Sequence, residues 1–452
     1  CKKLTGTQYA LSTDSDIYLY DVASGRTSNL TEGMPGYDKY PVFSPDDSMI
    51  AFTSMERPGN ESDKDRLFVM SLADGSKRYL TEGFDYNAGN VRWADDSTLL
   101  FLSPIRATIQ LCSVSLSGGP VRVITSGAHD LNAFSAAGGR VVAEMTTLGS
   151  PTELFDVNPS DGAMTRITNT NAEIYERIRM GKVEERWVET TDGKRMLVWV
   201  VLPPDFDPSK KYPALLYCQG GPQSVVSQFW SYRWNLQLMA AQGYVVVAPN
   251  RRGLPSFGQE WLDQISGDYS GQNIRDYLSA IDDVSAEPWV DRDRLGCVGA
   301  SYGGYSVFFL AGNHQKRFKA FIAHCGMFNF ESMYGATEEL WFPNNDLGGP
   351  YWSDSPVARR SYANSPHKFV KNWDTPILIF SGQRDFRIPY TESLQAFTAA
   401  RLRGVPSRLV SFEDEAHQVF KPQNSLVWNR EFFSWLDRYV KNAETPAEQT
   451  GR

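Results

Sequence analysis

The sequence predicts two domains of different classes. Residues 1–170 are expected to form a partial all-β propeller, and residues 171–452 an α/β domain built on a doubly wound, mostly parallel sheet. Two observations carry this prediction. In the first part a strand-and-turn motif recurs about every 40 to 50 residues, which is the period of four-stranded propeller blades. In the second part apolar strands alternate with amphipathic helical stretches, which is typical of a sheet covered by helices on both faces.

The repeats of the first domain are visible in the residues themselves. The segment from Asp16 to Gly25 resembles the segment from Arg66 to Gly75, and weaker copies end at Gly119 and Gly162. Two further pairs recur with them: Phe43-Ser44-Pro45-Asp46-Asp47-Ser48 with Trp93-Ala94-Asp95-Asp96-Ser97, and Thr31-Glu32-Gly33 with Thr81-Glu82-Gly83. These repeats predict about three to four blades, too few for a closed ring. We therefore expect earlier blades, or another chain, to cover the open end. An irregular β-sandwich is the alternative.

The second domain begins with different patterns. A short helix is predicted from Ala172 to Arg179, and Glu185–Thr190 and Met196–Leu202 predict a hairpin around Asp192-Gly193. The apolar strands that follow are Ala214–Tyr217, Tyr244–Pro249, Arg294–Val298, Phe318–Ala323, Pro376–Ser381 and Arg408–Phe412, and the run Ile274–Val284 is amphipathic. In such a sheet functional groups gather at the carboxyl ends of the strands.

Composition excludes several classes of function. The net charge of −8 argues against a nucleic-acid or anionic-membrane surface as the main partner, and no apolar run approaches the length of a membrane span. The five cysteines show no CxxC spacing, so neither a disulfide framework nor a zinc site is expected, and we expect no cofactor. The chain opens at Cys1 rather than Met, which suggests processing from something longer. A lipid-anchored amino terminus is the alternative.

The sharpest motif is Gly299-Ala300-Ser301-Tyr302-Gly303-Gly304. It follows the strand ending at Val298 and precedes an apolar helical run. Gly-x-Ser-x-Gly in this context is a nucleophile elbow, a tight strand-to-helix turn that lifts the serine hydroxyl clear of the sheet. The helix that follows brings partial positive charge to the place where an oxyanion develops. Ser301 is therefore the predicted nucleophile, and Tyr302 supplies one oxyanion donor from its backbone N–H.

A serine nucleophile needs a base, and the base needs an acid to orient it. In this fold the chain order is serine, acid, histidine. Only His367 and His417 lie far enough downstream, and His367 precedes the strand that would carry the acid, so His417 is the predicted base. Asp385 follows the strand Pro376–Ser381, whereas Asp374 stands at its wrong end. We therefore predict Asp385 as the acid. A second oxyanion donor is expected from the loop Cys218-Gln219-Gly220-Gly221-Pro222, which follows an earlier strand.

These residues together resemble the prolyl oligopeptidase family of serine peptidases, in which a β-propeller precedes an α/β-hydrolase domain. The resemblance covers essentially the whole chain. Within the family, the chain looks most like the acylaminoacyl-peptidase branch. It rests on the elbow, Gly220-Gly221-Pro222, Pro249-Asn250-Arg251-Arg252-Gly253, Asp385-Phe386-Arg387-Ile388-Pro389, the His417 loop and the segments 326–334, 337–342 and 348–352.

The resemblance implies roles for further residues. Gly221 would be the second oxyanion donor, and Arg387 would hold a substrate carbonyl. Tyr334, Trp341 and Phe342 would help to wall an apolar pocket for the residue before the cut bond. Gln219 departs from the branch, which commonly has His at this position, so the oxyanion hole would be made by backbone groups. The acidic pair Glu184-Glu185 is interpreted as solvated charge on the connector.

The resemblance implies a serine exopeptidase that acts on oligopeptides and releases amino-terminal dipeptides through an acyl-enzyme. An acylaminoacyl-peptidase or a broader oligopeptidase is the alternative within this chemistry. From other classes, a carboxylesterase and a non-catalytic propeller binding module remain. A periplasmic location is expected by family analogy, with the cytoplasm as the alternative. The oligomeric state, with a homodimer as one option, is left open.

Overall fold

The computed structural model describes residues 5–442, so Cys1 lies outside the described residues. The chain divides into two compact units. The first runs to Ile178 and also includes Ser227–Trp230 and Leu254–Asp263; the second comprises Arg179–Val226, Ser231–Gly253 and the chain from Gln264 onward. The first unit thus runs to Ile178, a little past the boundary predicted after residue 170, and it also takes in two short later segments. Within residues 5–442 we find no helix long and apolar enough to cross a membrane.

The first unit consists mainly of short strands. They are β1 (Tyr18–Tyr20), β2 (Thr27–Asn29), β3 (Asp38–Phe43), β4 (Met49–Ser54), β5 (Arg66–Ser71), β6 (Lys77–Tyr79), β7 (Gly89–Asp95), β8 (Thr98–Ile105), β9 (Thr108–Ser115), β10 (Arg122–Val123), β11 (Asp130–Ala137), β12 (Arg140–Thr147), β13 (Ser150–Val157) and β14 (Met164–Arg166). Two short helices, α1 (Gln8–Leu11) and α2 (Ala172–Tyr175), belong to the same unit, so the helix predicted up to Arg179 is shorter than expected.

These strands pair as successive antiparallel sets. β1 pairs with β2, and β3 to β6 form a four-stranded sheet. β7 to β10 and β11 to β14 are two further sets of four, joined into one sheet by a single parallel pairing of Asp130 with Ile109. β8 buries both of its faces: Leu99 and Phe101 pack in the cluster with β4 and β5, whereas Leu100 and Leu102 pack in the cluster with β11 to β13. Alternate residues of one strand point to opposite faces, so the set that contains β8 is buried on both sides.

A hydrogen bond repeats through the unit and explains part of the sequence repeat. In each set a threonine hydroxyl accepts the backbone N–H of a residue 14 positions earlier; the pairs are Thr31 with Ile17, Thr81 with Leu67, Thr125 with Leu111 and Thr168 with Leu154. The repeated Asp-Asp-Ser segments form turns in which Asp46 accepts the Ser48 N–H and Asp95 accepts the Ser97 N–H. The repeat is therefore structural as well as compositional.

The second unit is an eight-stranded sheet. Its strands are β15 (Val183–Glu189), β16 (Arg195–Val201), β17 (Tyr212–Cys218), β18 (Val245–Pro249), β19 (Val290–Ala300), β20 (Ala320–His324), β21 (Ile377–Gly382) and β22 (Ser407–Phe412), in the order β15-β16-β18-β17-β19-β20-β21-β22. The first two pairings are antiparallel and the remaining five are parallel. The predicted hairpin and all six predicted strands are thereby confirmed.

The remaining helices lie between these strands. They are α3 (Leu236–Ala241), α4 (Gln259–Asp263, which groups with the first unit), α5 (Gln272–Ser285), α6 (Tyr302–Ala311), α7 (Phe330–Tyr334), α8 (Trp341–Asp346), α9 (Pro356–Ala363), α10 (Tyr390–Leu402) and α11 (Pro422–Leu436), with a 3₁₀ helix at Pro366–Asn372 and a π turn at Asp437–Lys441. Because β17, β19, β20, β21 and β22 run parallel, the segments that follow them leave the sheet at one edge.

Candidate active site

Ser301 occupies the tight turn between β19 and α6. Its backbone dihedrals are φ 58° and ψ −120°, a conformation that is costly for a residue other than glycine. The neighbouring glycines make the turn possible: a Cβ at Gly303 would lie 2.1 Å from the carbonyl oxygen of Cys218, and one at Gly304 would lie 2.6 Å from that of His324. The Ser301 N–H donates to the His324 carbonyl at 2.9 Å, which ties the turn to β20. The nucleophile elbow thus holds the serine at the carboxyl edge.

Three side chains predicted from the sequence meet at this edge. His417 Nε2 lies 3.0 Å from Ser301 Oγ, and His417 Nδ1 lies 2.7 Å from Asp385 Oδ2. The imidazole therefore bridges the hydroxyl and the carboxylate. His367, the other downstream histidine, is elsewhere: its Nδ1 lies 2.8 Å from Ser365 Oγ.

The loops that carry Asp385 and His417 are each fixed by backbone N–H groups that donate to a buried carboxylate. Asp385 is buried, and its Oδ1 accepts the backbone N–H groups of Arg387 and Ile388 at 3.0 and 2.9 Å, leaving Oδ2 for His417. The His417 loop is fixed by Glu415, a buried carboxylate that accepts the N–H groups of Phe420 and Lys421. Glu415 was not predicted from the sequence, although it lies in the His417 loop.

Cys325 is a neighbour of the base that the sequence analysis did not identify. It directly follows β20 and is buried, with its Sγ 4.0 Å from His417 Nε2 and 3.4 Å from the His417 carbonyl oxygen. Burial opposes the charged imidazolium of His417, but the negative charges of the Cys325 thiolate and the Asp385 carboxylate outweigh it, so the pKa of His417 lies above its ordinary value. Burial acts against the Cys325 thiolate, yet His417 and His324 lower the pKa of the thiol overall.

The loop after β17 lies against the elbow. A Cβ at Gly220 would lie 2.6 Å from the Ala300 carbonyl oxygen, so only glycine permits this approach. Gly221 has φ +65°, the left-handed region that glycine adopts without strain. The Tyr302 N–H belongs to the first turn of α6, where backbone donors have no partner within the helix. The Gln219 Oε1 accepts the Tyr217 hydroxyl at 2.7 Å.

Arg251 contacts both the loop after β17 and the nucleophile elbow. It lies in the family motif at residues 249–253, but no role was predicted for it from the sequence. It is fully buried, and its Nη1 donates to the Pro222 carbonyl at 2.9 Å. Its guanidinium carbon lies 4.4 Å from the centroid of the Tyr302 ring, and its Nε donates to the Tyr277 hydroxyl at 3.1 Å. One side chain therefore contacts both Tyr302 and the residue after Gly221.

The residues predicted to contact the substrate lie in two parts of the chain. Arg387 follows Asp385 closely, whereas the three aromatic residues lie in α7 and α8. Arg387 is 44% exposed at its side chain and forms ion pairs with Glu339 at 2.6 Å and Glu338 at 3.8 Å. Tyr334 ends α7, and its hydroxyl donates to Asn344 Oδ1 in α8 at 2.9 Å. Trp341 and Phe342 begin α8 and are partly exposed. Burial raises the pKa of Glu339 against the opposing effect of the Arg387 guanidinium.

Among residues 5–442 one group of side chains offers three potential metal ligands close together, namely Cys325, Asp385 and His417, whose ligand atoms lie within 4.8 Å of one another.

Comparison with known proteins gives concordant matches. Residues 230–443 match the model of the prolyl oligopeptidase family. Dipeptidyl-peptidase 5 of Porphyromonas gingivalis is 56% identical over 442 residues, which cover 97% of this chain and 65% of that protein. The protein of the same name from Porphyromonas endodontalis is 50% identical over 442 residues, covering 97% of this chain and 64% of that one. The chain thus spans a little less than two thirds of the length of these relatives.

A solved structure of an acylaminoacyl peptidase in complex with Z-Gly-Gly-Phe-chloromethyl ketone aligns with a TM-score of 0.84 at 24% identity, covering 95% of this chain and 67% of that chain. This likeness shows a shared fold. From the family match and the two relatives that align along nearly all of its length, we conclude that the chain belongs to the prolyl oligopeptidase family.

Proposed function

We propose that this chain is the catalytic part of a serine peptidase that releases dipeptides from the amino end of oligopeptides. The observation that carries the proposal is the bridging position of His417, 3.0 Å from Ser301 Oγ and 2.7 Å from Asp385 Oδ2. A histidine in this position can take the serine proton while the carboxylate keeps its other nitrogen protonated.

The reaction follows from this geometry. Ser301 Oγ attacks the scissile carbonyl as His417 Nε2 removes its proton, and the imidazolium then donates that proton to the leaving amine. Asp385 holds the imidazole in the tautomer with hydrogen on Nδ1. Water then replaces the amine, and the same base activates it to hydrolyse the acyl-enzyme. No cofactor is needed for these steps.

The oxyanion is assigned to the backbone N–H groups of Tyr302 and Gly221. Tyr302 begins α6, and the Gly220–Gly221 segment packs against the Ala300 carbonyl at the other side of the elbow. Each donor of this kind contributes roughly a hundredfold or more in rate. Arg387 would hold a carbonyl of the substrate, and Tyr334, Trp341 and Phe342 would line the pocket for the residue before the cut bond.

The names of the relatives support the choice of substrate: both Porphyromonas proteins are called dipeptidyl-peptidase 5. An acylaminoacyl-peptidase is the second candidate, favoured by the name of the aligned solved structure. We also infer that the antiparallel sets of the first unit are about three to four propeller blades, on the basis of the fourfold threonine repeat. A periplasmic location is proposed by family analogy, and fractionation of the source cells tests it.

The test is a comparison of three substrates with the purified full-length protein: a dipeptidyl amide with a free amino terminus, an N-acetyl aminoacyl amide and a short acyl ester. We expect turnover of the dipeptidyl amide to exceed that of the acetylated amide. Preference for the acetylated amide would favour the second candidate, and turnover of the ester alone would contradict both.

Variants separate catalysis from folding. Ser301→Ala and His417→Ala should each lower turnover by several orders of magnitude. His367→Ala is the matched control, since it removes a second partly buried histidine that pairs with Ser365. Active-site labelling with an organophosphonate should be lost in Ser301→Ala, strongly slowed in His417→Ala, where the serine lacks its base, and unchanged in His367→Ala. An unlabelled wild-type protein would support the binding-module alternative.

A further inference from the structure

Cys325 has an unusual conformation beside the catalytic base. Its φ of 42° lies in the left-handed region, which is unfavourable for a residue with a Cβ. Its N–H donates to the Phe380 carbonyl at 2.9 Å, so the residue is fixed between β20 and β21. The thiol is thereby held at the catalytic edge, with Sγ 4.0 Å from His417 Nε2.

The Nδ1 atom of His417 has the same kind of hydrogen-bond partner as the second ring nitrogen of a metal-binding histidine. Such histidines donate their second ring N–H to a carboxylate, which fixes the tautomer and leaves the other nitrogen lone pair to the metal. Asp385 Oδ2 lies 2.7 Å from His417 Nδ1, so the lone pair of Nε2 points away from the carboxylate. The tautomer that serves Ser301 is therefore also the tautomer that would coordinate a metal ion.

The distances suit a tetrahedral ion. With zinc bonds of about 2.3 Å to sulfur and about 2.0 Å to nitrogen, the two ligand atoms would be about 3.5 Å apart. The Sγ and Nε2 atoms are separated by 4.0 Å, so a shift of the imidazole or thiol by about half an ångström would bring them to that distance. Ser301 Oγ lies 3.0 Å from Nε2. The remaining positions of a four-coordinate ion would be filled by water or by this hydroxyl.

We propose that Cys325 and His417 form an inhibitory site for a borderline-soft divalent cation such as Zn²⁺, with Asp385 orienting the imidazole. The thiol loses its proton to solvent as the Zn–S bond forms, Nε2 donates its lone pair to the ion, and no oxidation state changes. A thiolate and imidazole pair selects Zn²⁺ over Mg²⁺ or Ca²⁺, which prefer oxygen ligands. The ion occupies Nε2, so His417 can no longer remove the Ser301 proton. The inhibitory effect rests on the proposed peptidase function, whereas the binding does not.

Binding is tested first, because it needs no activity. Co²⁺ added to the metal-free full-length protein should give a thiolate-to-metal charge-transfer absorption. The band should persist in Ser301→Ala, which keeps both ligands. It should be lost in Cys325→Ala and in the isosteric Cys325→Ser, either of which suffices if the other fails to fold. Cys112→Ala is the matched control, since Cys112 is also buried and free but belongs to the first unit.

Inhibition is tested second. Zn²⁺ should inhibit hydrolysis reversibly, with recovery on adding a chelator, and Mg²⁺ should have no effect. Relative to each variant's own activity, Cys325→Ser should raise the half-inhibiting Zn²⁺ concentration roughly 10- to 100-fold. Equal zinc sensitivity of wild type and Cys325→Ser, or an unchanged cobalt spectrum in that variant, would overturn the proposal. A cobalt band that depends on Cys325 in a protein without peptidase activity would instead refute the proposed function and leave the metal site standing.

Discussion

Arg251 gives the sharpest test of how the oxyanion hole is built. Its guanidinium donates to the Pro222 carbonyl and lies over the Tyr302 ring, so it contacts both segments that would supply the two oxyanion donors. Arg251→Met removes the charge and the donors but keeps much of the side-chain volume. The loop after β17 would then lose the hydrogen bond to Arg251 that links it to the elbow.

The expected loss follows from two bounds. A hydrogen bond from a charged donor contributes about 1.5 to 3 kcal/mol. Loss of a whole oxyanion donor costs about 100- to 1,000-fold in kcat. Because the Gly221 N–H would be displaced rather than removed, we expect kcat to fall roughly 10- to 100-fold, with KM changed by less than about threefold. The loss falls on kcat because the donors bind the oxyanion of the transition state more strongly than the carbonyl of the substrate.

The assay has two readouts. Steady-state hydrolysis of a dipeptidyl amide separates kcat from KM, and the inhibition constant of a matching peptide aldehyde reports on the oxyanion directly, since its adduct with Ser301 is tetrahedral. The aldehyde should bind more weakly in proportion to the fall in kcat/KM. Tyr277→Phe is the matched control, because it removes the partner of Arg251 Nε without touching the Pro222 contact. A folded Arg251→Met with unchanged kcat, or with the whole loss in KM, would refute this reasoning.

Three further outcomes are expected. Asp385→Asn keeps an acceptor for its own loop but favours the wrong tautomer of His417, so kcat should fall by about 10³ to 10⁴ with little change in melting temperature. Arg387→Ala should lower turnover of peptide amides roughly 10- to 100-fold while sparing a minimal ester, and equal losses on both substrates would remove its assigned role. Burial lowers the pKa of His314 to about 4, so the unfolded chain takes up a proton between pH 6.5 and 4 that the folded chain resists. Denaturant titrations should therefore show stability falling by up to about 3 kcal/mol over that range, a loss that His314→Asn should remove.

The parts of the fold that the sequence predicted are those with strong local signals. The central parallel strands β17, β18, β20 and β21 are almost continuous apolar runs, and their confirmed positions follow from burial on both faces. The elbow was recognisable because Gly303 and Gly304 are required by close backbone approaches that no side chain could tolerate. Only two of the four threonines were found from the sequence: Thr31 and Thr81 share the following Glu-Gly. Thr125 keeps only the glycine two positions on and Thr168 keeps neither residue, although both make the same hydrogen bond.

The parts that escaped prediction depend on contacts between distant segments. The grouping of Ser227–Trp230 and Leu254–Asp263 with the first unit has no compositional signal. Arg251 lies in a motif that was recognised from the sequence. Its role depends on the 2.9 Å hydrogen bond from its Nη1 to the Pro222 carbonyl, which strand order alone does not reveal. Cys325 follows a predicted strand at the functional edge, and that position was the one available signal for it. Its left-handed backbone, which aims the thiol at the base, was not readable from the residues around it.

There is a physical reason why some residues of the site can be predicted from the sequence and others cannot. Residues whose identity is imposed by the backbone, such as the glycines of the elbow, can be read from a short motif because any substitution creates a clash. Residues that tune the site act through the reach of a side chain across several ångströms of tertiary structure, as Arg251 does for the oxyanion loop and Cys325 for His417. Substitutions there should therefore alter catalysis by degrees while the fold persists, whereas substitutions at Gly303 or Gly304 should disrupt the turn itself, because the nearest atoms to the added Cβ are backbone atoms that cannot move aside.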